Sequence, residues 1–438
     1  MLYQDKYNTD RLASALELSE RLEADIAAGA ISSGDRLPSI RDMAALTSLA
    51  PNTVAAAYRR LADRGVAVSH GRGGTFVLER PALGLQGSPS VPPGAVDLAS
   101  GTPDRRLLPD LGRYVVHPGP STSYIDPPIL PELAEAGLAW LGSQGVEASR
   151  LLVTSGALDA IERVLTARLR PGDAVAVERP GWSAVTDLVA ALGMRSVGVT
   201  TDDRGMVPDV LEQHLAALDA VVVTPRAQNP LGAAIDSRRR SELASILDTR
   251  PDLLIVEDDH AGPIAGAPLY PISPGRRRWA FVQSVAKALG PDLRLALVIG
   301  DDLTIDRVGG RFGVGPGWVS RILQRAVAAM MTDRAITTLM GDAEAEYARR
   351  RELLIGALSA TGLAGAIGRS GLNVWVPVRS EQASLTAASA HGFVLRGGAS
   401  FSGVDPAVRI TVSNLDDHEI PRLAAAVADP GEAGRRLV

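Results

Sequence analysis

The chain contains no cysteine, so it has no disulfide and no thiolate metal site. It is almost without lysine: of its 45 cationic residues only Lys6 and Lys287 are lysines, and the rest are arginines. No apolar run approaches the ~18 residues that a membrane helix needs. The first residues, MLYQDKYNTD, lack the basic-then-apolar plan of a secretory leader. The six histidines show no metal-ligand spacing, and a formal charge of −5 excludes general polyanion binding. What remains is 438 residues, 46% of them apolar, enough for two or three domains with large cores. A soluble, cytoplasmic protein is expected.

Against this scarcity Lys287 stands out. It lies between two apolar runs, Trp279 to Val282 and Leu293 to Ile299, where a bare charge is costly. Arginine cannot deprotonate in such a place, whereas lysine can, and its free amine condenses with carbonyls to a Schiff base. Ser284 precedes it by about one helical turn, and Arg294 follows at the start of the next run. An amine flanked by a hydroxyl and a guanidinium suits an aldehyde bearing a phosphate, and pyridoxal 5′-phosphate is the candidate cofactor.

The N-terminal eighty residues follow a different plan. Apolar residues recur at helical spacing through Leu12, Leu16, Leu18, Leu22 and Ile26, and Gly29 supplies a stop. Ser39 is placed to cap a second helix burying Met43, Ala44 and Leu46, and Asn52 to cap a third with Val54, Tyr58 and Leu61 inward. Two short β runs, Val66–Ser69 and Gly74–Leu78, enclose His70-Gly71-Arg72-Gly73. This order is that of a winged helix-turn-helix. From Arg36 to Arg80 seven arginines face three acids, a local +4 within an acidic chain, where a recognition helix and wing meet phosphates. Residues 80–95, with four prolines, read as a tether.

Beyond Val96 short apolar runs alternate with helical segments: Leu151–Thr154, Ala174–Glu178, Ala220–Thr224, Leu253–Glu257, Phe281–Gln283 and Leu293–Ile299. That pattern predicts an open α/β sheet with its ligand at the carboxyl ends of the strands. Ser155-Gly156-Ala157 ends the first run and opens a helix whose free amides suit a phosphate. Glu257-Asp258-Asp259-His260 ends the strand LLIVED, where a carboxylate can pair with a protonated pyridine nitrogen.

Ser284-x-x-Lys287 followed by Arg294 resembles the lysine segment of fold-type I aminotransferases, in the spacing of the MocR subfamily of GntR-type transcription regulators. GDRLPSIRDMAALTSLAPNTVAAAYRRLADRGVAVSHGRGGTFV resembles a GntR DNA-binding domain along its whole length. The resemblance implies a winged helix-turn-helix at residues 10–79, a linker at 80–95, and at 96–435 an aminotransferase-like domain with a smaller C-terminal α+β subdomain. It implies DNA contacts from Ser39, Arg41, Asn52, Thr53 and Tyr58, with Gly71 and Arg72 at the wing tip; Pro51 departs from the arginine frequent there. In the large domain it implies a phosphate site at Ser155, Gly156, Ala157, Ser284 and Arg294, and Trp182 stacked on the pyridine ring. Asn229 and His260 would face the phenolate oxygen, Asp258 the ring nitrogen, and Arg409 an effector carboxylate. Tyr124 would reach the phosphate of a second subunit in a homodimer, with Ile129 where a glycine is expected. His260 in place of tyrosine and Leu231 in place of threonine depart from the catalytic pattern.

The implied function is a transcription regulator sensing pyridoxal 5′-phosphate, an amine or an amino acid through Lys287, with double-stranded DNA as partner. A working aminotransferase with an accessory DNA-binding module is the alternative, and a cofactor-free dimerisation scaffold the third reading.

Overall fold

Why the N-terminal segment folds as it does is visible in its helix faces. The computed structural model describes residues 13–27, 30–32, 34–63, 66–69, 73–77, 90–115 and 123–428. Helix Ala15–Ala27 buries Leu18 and Leu22, one turn apart. Helix Ile40–Thr47 starts on Ser39, whose hydroxyl accepts from the Asp42 N–H (3.2 Å). Helix Pro51–Asp63 begins at Pro51, whose missing N–H costs nothing in a first turn. Asn52 therefore lies inside that turn and is not its cap. Two strands, β1 (Ala67–Ser69) and β2 (Thr75–Val77), pair antiparallel. Leu37, Met43, Val54, Leu61 and Val77 close the core between helices and hairpin.

The large domain is built on an eight-stranded sheet. In chain order the relevant strands are β3 (Val96–Asp97), β4 (Leu152–Thr154), β5 (Ala174–Arg179), β6 (Arg195–Asp202), β7 (Gly205–Met206), β8 (Ala220–Val223), β9 (Leu254–Asp259), β10 (Trp279–Ser284) and β11 (Ala296–Gly300). The sheet order is β4-β11-β10-β9-β8-β5-β6-β7. Its central pairs β5–β8, β8–β9 and β9–β10 are parallel, while β10–β11 and β11–β4 are antiparallel. β8, β9 and β10 are buried at every position, as parallel strands covered on both faces must be. β11 starts later than its apolar run suggests. Pro291–Leu293 forms a single 3-10 turn and Arg294 adopts a left-handed φ of 43°, so pairing begins at Ala296. β6 is missing from the predicted runs because polar residues interrupt it.

A smaller unit follows the long helix Arg334–Ala360. β12 (Asn373–Pro377), β15 (Ala407–Thr411) and β14 (Arg396–Gly397) form an antiparallel sheet in that order, while β13 (Phe393–Val394) pairs parallel with β3. The β3–β13 pairing brings the segment after Asp97 back against β15, where Thr411 N–H donates to the Leu98 carbonyl (2.9 Å). Among the described residues no helix is long and apolar enough to cross a membrane, and no cluster of metal-ligating side chains occurs.

Candidate functional site

A cleft of about 290 Å³ opens at the carboxyl ends of the parallel strands. It is bordered by Trp182, Asn229, His260, Ser284, Lys287, Arg294 and Arg409, the first and last of them 227 positions apart in sequence. Topology explains the gathering: most of these residues lie at a strand's end or in the connection that follows it, Arg294 directly precedes β11, and Arg409 enters from β15 of the smaller sheet. Ser284 closes β10, and Lys287 sits in the single helical turn Ala286–Leu289 that follows. The lysine Nζ donates to the carbonyl of Gly101, on the segment that returns past β3. Burial, with the Arg409 charge, lowers the Lys287 ammonium from its usual 10.5 to about 8. Near neutrality a useful fraction of it is therefore free amine.

Asp258 lies in a smaller cavity of about 20 Å³ that shares Trp182, Asn229 and His260 with the cleft. It is 3% exposed, and its Oδ1 has no hydrogen-bond partner. Burial pushes its carboxyl up to about 8, and the Asp259 and Glu178 carboxylates push in the same direction. His260 Nδ1 stands 4.0 Å from Asp258 Oδ2. Burial, then the Lys287 charge, drops the imidazole to about 4, so it is neutral at pH 7. Asn229 Oδ1 accepts from Arg409 Nη1 (3.1 Å), which turns the amide so that its NH₂ is the group left to donate. Arg409 is 4% exposed, also donates to the Ala99 carbonyl and lies 5.0 Å over the Phe401 ring. Burial, and then Arg396, lowers its guanidinium to about 9.

The phosphate segment is only partly as expected. Gly156 has φ 99°, and a Cβ there would come within 3.4 Å of Arg294 Nη2, so glycine lets that guanidinium approach the helix that starts at Ala157. Ala157 borders the cleft, whereas Ser155 does not. The Ser155 N–H is taken by the Asp159 carboxylate (2.9 Å). Tyr124 is not brought to the cleft of its own chain: it is 90% exposed and packs edge-on against Trp318.

In the N-terminal domain Arg41 and Asn52 are exposed and Thr53 half-buried, at the starts of the second and third helices. Ser39 is exposed and bonded to Asp42. Tyr58 is a correction. It is 5% exposed and its hydroxyl donates to the Pro38 carbonyl (2.8 Å), so it belongs to the core and is withdrawn from the DNA-facing set. Gly71 and Arg72 lie outside the described residues, as does most of the 80–95 linker.

Sequence reasoning missed three partners. Glu178, next to last on β5, bonds the turn that carries Asn229, the Gly101 carbonyl meets the lysine, and Arg226 forms a two-pronged pair with Asp259 (3.0 and 2.8 Å). Gln283 also donates to Asp259, at 2.6 Å. None has a local signal, since each acts on a residue 24 or more positions away.

Two family descriptions match the chain: bacterial regulatory proteins, gntR family, over residues 14–77, and aminotransferase class I and II over 94–427. The chain is 37% identical to the vitamin B6 salvage pathway transcriptional repressor PtsJ of Salmonella typhimurium, over 94% of this chain and 97% of that protein. It is 28% identical to the pyridoxine biosynthesis transcriptional regulator PdxR of Corynebacterium glutamicum, over 70% and 67%. An archaeal alanine:glyoxylate aminotransferase shares the fold of the large domain, with a TM-score of 0.69 at 23% identity over 76% of this chain and 90% of that one. A GntR-type winged helix joined to a fold-type I aminotransferase domain defines a class of DNA-binding transcription regulators. This chain belongs to that class, the MocR-type GntR regulators.

Proposed function

We propose that the large domain holds pyridoxal 5′-phosphate on Lys287 and that its occupancy controls DNA binding by the winged helix. The observation that carries this reading is the buried, unpartnered Oδ1 of Asp258 beside a cleft whose one lysine has a depressed pKa. A buried carboxyl without a cation is costly, and a protonated ring nitrogen is the partner that completes it. The other donors fit the same group: Asn229 has its NH₂ free for a phenolate, Trp182 flanks the cleft, and Arg294 with Ser284 suits a phosphate. When bound, the cofactor supplies an aldehyde that captures amines.

The protein's own residues have separable tasks. Lys287 offers an amine whose neutral form burial favours, with the Arg409 charge adding to the effect, while Arg409 presents a guanidinium to an effector carboxylate. His260, neutral at pH 7, faces the phenolate position without adding charge. The relatives' names, one concerned with vitamin B6 salvage and one with pyridoxine biosynthesis, favour the vitamin B6 compound itself as effector over an amino acid. Leu231 is buried against Trp375 and Phe401, away from the cleft, and with His260 it supports sensing over sustained transamination. Tyr124 and Ile125, each about nine-tenths exposed, are the groups a second copy would cover in the proposed homodimer.

Borohydride reduction of the protein incubated with pyridoxal 5′-phosphate, followed by peptide mass analysis, tests the reading. A single adduct on the peptide containing Lys287 is expected. A protein carrying no adduct there refutes it.

A further inference from the structure

Glu178 is a half-buried acid that neither the motifs nor the cofactor fit requires. It lies on β5, next to the cavity that also contains Asp258. Its Oε1 accepts from the Thr224 N–H (3.2 Å), and its Oε2 from the Thr224 hydroxyl (2.8 Å) and the Gln228 side-chain amide (3.4 Å). Thr224 opens the turn that carries Asn229, and Gln228 immediately precedes that residue. Gln228 is fully buried and also donates to the carbonyl of Pro180, just past β5 (2.9 Å), and accepts from the Leu231 N–H of its own turn (3.0 Å). Ser370 holds the opposite side, accepting from the Ala227 N–H and donating to the Gly232 and Ala233 carbonyls. On the β5 side the turn rests on Glu178 and on the Pro180 carbonyl.

We propose that Glu178 is a positioning residue that sets the place of Asn229, and so of its amide at the ring site, by clamping Thr224 and Gln228. The proposal rests on the cofactor reading only for the last of these consequences; the clamp itself belongs to the protein alone. Removing the carboxyl leaves the Thr224 N–H and hydroxyl without their acceptor and Gln228 with the Pro180 carbonyl alone, in a half-buried place, and the turn must shift to find others. Burial raises the Glu178 carboxyl to about 7, so it is often protonated at neutral pH. A protonated carboxyl accepts from the Thr224 N–H with one oxygen and donates to the Thr224 hydroxyl with the other. Glutamine reproduces the two Thr224 contacts, though not the weak one from Gln228, whereas alanine reproduces none.

The test uses the full-length chain and two readouts. Amide hydrogen exchange over 224–232 is measured without pyridoxal 5′-phosphate, and affinity for pyridoxal 5′-phosphate is measured by absorbance. Glu178→Ala is expected to speed exchange through the turn and weaken affinity by about tenfold, the loss of one hydrogen-bonded buried group. Glu178→Gln should restore slow exchange and bind within about threefold of the parent at pH 6.5. If Glu178→Ala does not fold, Thr224→Val, which removes only the hydroxyl, should speed exchange in the same turn. Unchanged exchange in Glu178→Ala, or in Thr224→Val where that variant replaces it, overturns the clamp. So does a Glu178→Gln protein as loose as Glu178→Ala. If the parent binds no pyridoxal 5′-phosphate at all, the cofactor reading fails, and exchange alone still decides the clamp.

Discussion

Asp258 and Asp259 are neighbours on one strand and live in opposite electrostatic worlds. Successive side chains of a strand point to opposite faces, so the two carboxyls are separated by the sheet itself. On one face Asp259 is gripped by both prongs of Arg226 and by Gln283. On the other, Asp258 has an oxygen that nothing in the protein satisfies. A completed buried pair is architecture, whereas an incomplete one is half of a binding site.

The largest effect expected is on the incomplete side. Lys287→Ala should abolish borohydride-trapped pyridoxal 5′-phosphate entirely while leaving the fold, read by circular dichroism, and basal DNA binding intact. Loss of DNA binding in that variant would break the separation between the two domains' tasks.

Arg226→Ala should cost about 3–5 kcal/mol of stability, because it strands a buried carboxylate, whereas Asp258→Asn should cost about 1 kcal/mol or less, since no partner is lost. Denaturant midpoints of the two variants measure the contrast directly; equal losses would mean that Asp258 is structural too.

The pH dependence sharpens the contrast further. Asp258 has a folded value of about 8 against 3.8 when free, so its contribution to stability is fully present below the free value and is lost as pH rises towards 8. The cofactor-free protein should therefore weaken between about pH 4 and 8, and Asp258→Asn should show a shallower decline, with Glu178 still contributing its part. Identical slopes in parent and variant would mean that Asp258 is paired after all.

The smallest effect belongs to the winged helix. Arg41→Ala, altering an exposed cation at the start of the second helix, should weaken operator binding modestly and reduce the salt slope by about 1. An unaltered slope, measured by fluorescence anisotropy over a salt series, would remove Arg41 from the phosphate contacts.

Much of this site was legible because its residues sit at strand ends, where apolar runs stop and chemistry begins. Lys287, Asp258, Asn229 and Trp182 all fall at such boundaries, and the sheet brings Lys287, Asn229 and Trp182 to one cleft and Asp258 to the cavity beside it. Glu178 was not legible, because its meaning depends on Thr224, 46 residues further on. The Gly101 carbonyl carries no side-chain signature at all. Tyr58 shows the opposite failure. Its spacing with Val54 and Leu61 puts it on the inner helix face, a stronger physical signal than the family position that points it at DNA. β11 was read too long because apolar residues fill the 3-10 turn before it as readily as the strand.

The most direct test of the central claim follows DNA affinity of the full-length chain while pyridoxal 5′-phosphate is titrated in, side by side with Lys287→Ala. The parent's affinity should shift as its Lys287 adduct accumulates, and the variant's should stay flat. A parent that ignores the ligand, or a variant that responds as the parent does, would contradict the claim that a single buried amine connects the cleft to the operator.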